Sequence, residues 1–301
     1  MLIDTHAHVN FVAYKDDGDE VVKRTLKENI WMINVGSERD TSRRAVEYAK
    51  KYSEGVFAAV GLHPIHLKKQ KVDAQIDEYE SVEFKAEAEK FDYDYYKSLA
   101  QNDKVVAIGE IGLDYYRNAK SKLLQRETLL KQMALAQELN KPIIFHCRET
   151  HNDLLEILKN FKNNSPSSRF AGEAGQPSLN IREEVPPLNL RGGEGELRGV
   201  IHSFSGRWSQ AQQYLEMGFY LGFNGLITFA RDYDKVIKQM PLERLVLETD
   251  CPYLTPAPFR GKRNEPAYVK YVAEKVAELR GISLEEVAET TTANAKKLFE
   301  I

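Results

Sequence analysis

Six side chains able to ligate a metal fall on short apolar runs spread along the chain: His6 and His8 in MLIDTHAH, Glu110 in VVAIGEIG, His146 in PIIFHCRE, His202 in GVIHSFS and Asp250 in RLVLETD. Side chains at i and i+2 of a strand point to the same side, so His6 and His8 can reach one ion together. Glu110 lies in an apolar setting, where a lone buried carboxylate is costly unless it is paired or meets a cation. A carboxylate placed between two ions can bridge them, which makes Glu110 the candidate shared ligand. His146 or His202 alone would read as a satisfied core histidine. Together with Asp250 and the His6–His8 pair, they supply ligands for two adjacent divalent ions. Such a pair would lower the pKa of a bridging water, and Asp250 is placed to take its proton as general base. This is the pattern of a metal-dependent hydrolase. Imidazole and carboxylate ligands suit Zn, Mn, Fe or Co, and Mg prefers more oxygen, so ligand type leaves the metal open among Mg, Mn and Zn.

Other residues read as supports or substrate contacts. Asp4 shares the face of His6 and His8 and is expected to orient one imidazole; Glu248 shares the face of Asp250 and is expected behind it. His63, in GLHP, ends a strand at the rim. Arg148, two residues beyond His146, has a fork that suits a phosphate or, equally, a surface ion pair with Glu149 or Asp153. Ser203, Ser205 and Gly206 offer backbone N–H groups to an anion. Tyr115 and Tyr116 suit stacking on a base or simple packing. The most basic rim segment is FRGKRNEP at 259–266, a candidate polyanion contact. His66 and His151 carry no assignment and are expected at the surface.

Strands that deliver ligands to one point need a common rim, and a (β/α)8 TIM barrel provides one at the C-terminal ends of its strands. Eight apolar runs alternate with amphipathic helices, at 2–8, 31–36, 56–62, 105–111, 142–147, 199–204, 219–227 and 244–250. The clearest helix spans 122–139, and Ser283 with Glu286 has capping-box spacing for a last helix through Phe299. Two insertions break the rhythm. Residues 66–92 are charged and helix-prone and follow the third barrel strand, as a lid or as a solvated surface helix. Residues 163–198 hold four Pro and five Gly in 36 residues, a composition expected to form a flexible loop at the end of the barrel away from the ligands.

The 301 residues fit one barrel domain over 1–301 with these insertions. An apolar share of 42% and a charged share of 29% are those of a soluble globular protein. A net charge of -3 argues against coating long duplex DNA, although a local basic rim can still hold a phosphate. Cys147 and Cys251 are too few for a disulfide framework and are expected as small buried residues in a cytoplasmic protein. A strand starting at residue 2 leaves no room for the basic start of a cleavable signal, and no apolar run approaches the ~20 residues of a membrane span.

With these residues assembled, the chain resembles the TatD family of metal-dependent deoxyribonucleases within the amidohydrolase-like barrels. The matching stretches are LIDTHAHVN, GLHP, AIGEIGLDYYR, PIIFHCRET, IHSFSG, VLETDCPYLTP, FRGKRNEP and TTANAKKLF, in family order and covering all but the two insertions. The resemblance implies that His6, His8, Glu110 and Asp250 hold one ion and Glu110, His146 and His202 the other, with His63 beside the substrate phosphate. It implies phosphodiester hydrolysis at a DNA 3′ end, on single-stranded or frayed ends, with no obligate protein partner. Departures from the family pattern are Asn152 where an acid is usual, Lys297 where Arg is more typical, and the two insertions. A metal-dependent ester hydrolase such as a D-aminoacyl-tRNA deacylase is the alternative. A non-catalytic metal-binding scaffold would be expected to have lost ligands.

Overall fold

The computed structural model describes residues 1–75, 81–163 and 197–301. In chain order the strands are β1 (Leu2–Ala7), β2 (Ile30–Val35), β3 (Val56–Val60), β4 (Gln70–Gln75), β5 (Ser81–Ala86), β6 (Val105–Asp114), β7 (Ile143–Arg148), β8 (Gly199–Ile201), β9 (Tyr220–Phe223) and β10 (Leu245–Leu247). All except β4 and β5 form one sheet in the order β1-β2-β3-β6-β7-β8-β9-β10. Every pairing in that sheet is parallel, and β10 returns to β1 through a parallel bridge between Ala7 and Cys251. The result is a nearly closed TIM barrel. The helices are α1 (Gly18–Lys27), α2 (Arg39–Lys50), α3 (Tyr93–Ala100), α4 (Tyr115–Asn118), α5 (Lys122–Glu138), α6 (His151–Asn163), α7 (Trp208–Glu216), α8 (Asp234–Gln239), α9 (Val269–Arg280) and α10 (Leu284–Phe299).

Every barrel strand contributes to one buried cluster: Ile3, Ile33, Ala59, Ala107, Ile144, Val200, Tyr220 and Val246, joined by Leu298 and Phe299 of α10. Two residues further along the chain, Ile144 leads to His146, Val200 to His202 and Val246 to Glu248. Period-two alternation therefore carries the apolar floor upward into a polar rim. Ser283 caps α10 by accepting the Glu286 N–H at 3.0 Å, as the spacing predicts.

The last three strands are shorter than the apolar runs suggest. The chain leaves strand geometry at Ser203 (φ 45°) and at Asp250 (φ 58°), and Gly225–Thr228 turns into a 3-10 helix. His202, Glu248 and Asp250 thus sit just past strand ends. The expectation of a helix within 66–92 is also corrected: β4 and β5 form an antiparallel hairpin with Gln70 opposite Ala86. Val72 and Ala74, then Val82, Phe84 and Ala86, recur at every second position, and this period-two pattern outweighs the charge. The flexible-loop expectation for 163–198 falls almost wholly outside the described residues. Among the described residues, no helix is long and apolar enough to cross a membrane.

Asp4 fastens the barrel seam. Its carboxylate accepts from the backbone N–H of His6 (3.2 Å) and of Thr249 (2.8 Å), and from the Thr249 hydroxyl. It touches no imidazole, which corrects its expected role: it grips the backbone under His6. Burial pushes its pKa well up, against these three donors. Asp4→Ala would leave those donors without their partner in a dry seam, a loss expected at about 3 kcal/mol or more. Urea unfolding at pH 7.5 checks it, and a midpoint equal to that of the unmodified protein contradicts it.

Candidate metal centre

The rim gathers the six candidate ligands. His6 Nε2 lies 3.1 Å from His8 Nε2, 3.5 Å from Glu110 Oε2 and 3.8 Å from Asp250 Oδ1. His8 Nε2 is 3.4 Å from the same Asp250 oxygen. His202 Nε2 is 3.8 Å from both Glu110 Oε1 and Asp250 Oδ1, and its ring stacks on His6 at 3.6 Å. His146 turns Nδ1 to Glu110 Oε1 at 2.7 Å, and His63 Nε2 stands 3.4 Å from that oxygen. One Glu110 oxygen therefore faces His6, and the other faces His146, His63 and His202. Among the described residues three triads have ligand atoms within 4.8 Å of one another: His6–His8–Asp250, His6–Glu110–His202 and His63–Glu110–His146. In this grouping His63, not His202, stands with Glu110 and His146.

The ring nitrogens show which histidines can give a lone pair to a cation. His8 Nδ1 donates to the Val35 carbonyl at 2.8 Å, leaving Nε2 bare toward the centre. The far nitrogen of His146 meets Asp114 at 3.2 Å, so Nδ1 is the one turned inward. Glu248 Oε1 lies 3.1 Å behind His202 Nδ1, and Nε2 faces the cluster. His63 is different. Its Nδ1 accepts the Ile65 N–H at 3.0 Å, so Nε2 carries the proton and His63 is a donor. The Nε2 atoms of His6 and His8, 3.1 Å apart beside two carboxylates, are turned toward a common point, and a divalent cation fits that set.

The carboxylates and imidazoles also set one another's charge. Burial opposes ionisation of Glu110, but His63, His146 and His6 hold its pKa well below the usual range. Asp250 is likewise lowered against burial, by His202, His8 and His6. Burial would lower His202, yet Glu248 and Asp250 raise it to about 10. Burial and His146 push His63 down to about 4, so it is neutral at pH 7.

Residues 3–300 match the family described as TatD related DNase. The chain belongs to the TatD family. A Bacillus subtilis protein named uncharacterized metal-dependent hydrolase YabD is 41% identical over 304 residues, covering 100% of both chains. Human deoxyribonuclease TATDN3 is 29% identical, over 99% of this chain and 94% of its own. The crystal structure of YJJV, a TatD homolog from Escherichia coli, superposes with a TM-score of 0.75 at 27% identity, over 100% of this chain and 98% of that one. This TatD-family chain is a metal-dependent hydrolase, and its His, Glu and Asp clusters suit divalent metal.

Several expected contacts are placed differently within the TatD-family rim. Tyr115 is half-buried, donates its hydroxyl to Asp153 at 2.8 Å and has Lys122 over its ring, so it packs. Ser203 spends its N–H on Glu248 at 2.6 Å, and its hydroxyl accepts from Asn224, so that N–H is not open to an anion. Arg263 of the basic segment is paired with Asp17 and lies over Tyr14. Arg148 forms neither expected ion pair and stacks on Tyr116 at 4.1 Å. Both cysteines are buried, as expected, with Cys147 Sγ 3.2 Å from Thr150 Oγ1.

One residue escaped the sequence reading. Asp114 is buried, meets His146 Nε2, accepts the Arg117 N–H at 2.8 Å and binds the Arg117 guanidinium at 2.7 Å. It stands four residues after Glu110 on the same strand, so period-two alternation puts it on the ligand face and could have found it. Between them, Gly112 pairs with His146, and a Cβ there would lie 1.9 Å from the His146 carbonyl oxygen.

His151 is buried rather than at the surface, and His66 is half-buried. Burial lowers the His151 pKa to about 4. The unfolded chain takes up this proton near pH 6.5, where the folded one refuses it. The stabilisation is therefore full above pH 6.5 and lost as pH falls toward 4, on the order of 3 kcal/mol. His151→Gln is expected to flatten the fall in urea midpoint between pH 6.5 and 4.5. An unchanged slope contradicts this.

Proposed function

We propose that the site hydrolyses phosphodiester bonds of DNA with two divalent ions, as a 3′-5′ exodeoxyribonuclease on single-stranded or frayed ends. The supporting observation is Glu110, whose two oxygens face different imidazoles, as a ligand shared between two ions requires. In this reading His6, His8, Glu110 and Asp250 hold one ion, and Glu110, His146 and His202 the other. Divalent cations there would supply Lewis acidity toward a phosphoryl oxygen and acidify water. The ionised Asp250 accepts the proton of the attacking water. His63, neutral and protonated on Nε2, donates to a phosphate oxygen, and Arg148 offers its fork to a neighbouring one. Asp114 and Glu248 orient His146 and His202 from behind. A Cβ at Gly222 would come 2.4 Å from Glu248 Oε2, so only glycine leaves that carboxylate its place. Two buried thiols support a reducing compartment, the cytoplasm.

Asp114→Asn keeps the shape but removes the charge behind His146. Cation affinity is expected to fall roughly 10- to 100-fold, read by isothermal titration with Mn2+. Affinity within twofold of the unmodified protein contradicts the assignment. The substrate is tested by comparing turnover of single-stranded DNA with that of D-aminoacyl-tRNA on one preparation. Hydrolysis of DNA alone supports the proposal; hydrolysis of the aminoacyl ester alone replaces it with the deacylase reading.

A further inference from the structure

The segment Tyr115-Tyr116-Arg117 at the end of β6 is divided by its surroundings. Tyr115 is tied to Asp153, and Arg117 to the buried Asp114. Tyr116 is left, and it is 59% exposed. Its ring is backed by the Arg148 guanidinium at 4.1 Å. Arg148 is half-buried on β7, in register with Asp114 and two residues beyond His146. No carboxylate oxygen lies within 4.0 Å of it among the described residues. A half-buried guanidinium with no carboxylate oxygen that close, stacked on an exposed ring and two residues from His146, is a place for an anion.

We propose that Tyr116 and Arg148 form the subsite for the nucleotide adjoining the scissile phosphate in an unpaired strand: Arg148 holds the neighbouring phosphate, and the base stacks on the open surface of Tyr116. This rests on the nuclease reading above and adds the strand selectivity that the metal centre lacks. A base inside a duplex is covered on both faces and cannot reach the ring, whereas an unpaired base can. Because every base has a π-face, the subsite tolerates sequence. Arg148 stiffens the ring and adds cation–π attraction.

The test is a cycle between protein and substrate. Single-stranded oligonucleotides carry either an intact nucleotide or an abasic tetrahydrofuran residue next to the bond cleaved. The unmodified protein is expected to prefer the intact strand by roughly tenfold or more in kcat/KM. Tyr116→Ala should bring that ratio near one, Tyr116→Phe should keep it, and far-UV circular dichroism confirms folding of both. If the unmodified protein cleaves DNA and Tyr116→Ala keeps the full preference, the subsite is overturned while the nuclease reading stands. If the unmodified protein cleaves no oligonucleotide, both fall together.

Discussion

Glu110→Gln is expected to lower kcat/KM for DNA roughly a thousandfold, a loss of about 4 kcal/mol in transition-state stabilisation. The variant keeps size and shape but loses the charge that His6, His63, His146 and His202 all face, at 2.7 to 3.8 Å. One of its carboxylate oxygens becomes an NH2 that cannot ligate, so a bridge between two ions fails even if each ion finds other partners. Bound metal per chain is expected to fall with activity. The two readouts separate a lost ligand from a misfolded chain, provided circular dichroism is unchanged. A folded, metal-depleted variant with normal turnover would contradict the role given to Glu110.

Chelation should act on the same centre without touching the sequence. After EDTA and gel filtration, hydrolysis of DNA is expected to vanish and to return with Mn2+, Zn2+ or Mg2+. Stability should follow. A cation held at a free concentration a hundred times its Kd stabilises the fold by about 2.7 kcal/mol, a Tm shift of roughly 5 °C for a chain of this size. The sign follows from the geometry: a cation favours the folded chain, where His6, His8, Glu110 and Asp250 are already gathered, over the unfolded one. Scanning calorimetry with and without EDTA checks it. Turnover persisting in protein shown to be metal-free would contradict the account.

The barrel and the gathering of six candidate ligands at its rim were legible because both rest on short-range pattern. Alternation along the apolar runs gives the strands, and an imidazole or carboxylate toward the end of five of the eight marks the rim. What was hidden is rotation and partnership. Tyr115 and Tyr116 are adjacent and alike, and only the packing of α6, which presents Asp153, decides that Tyr115 turns inward. His151 is buried by Phe204 and Tyr214, residues more than fifty positions away. The hairpin of β4 and β5 was obscured by its charge, which drew attention from the alternating Val72, Ala74, Val82, Phe84 and Ala86. Asp4 shares the ligand face but bonds across the seam to Thr249, a partner 245 positions distant. Asp114 lies four residues beyond Glu110 on the same strand, and the polar, aromatic run that follows it masks its place on the ligand face.

The most direct measurement joins metal analysis to digestion of a 3′-labelled single-stranded oligonucleotide by the same protein preparation. The account predicts two divalent ions per chain and labelled mononucleotides released from the 3′ end. A chain carrying both ions that leaves the label intact would contradict it.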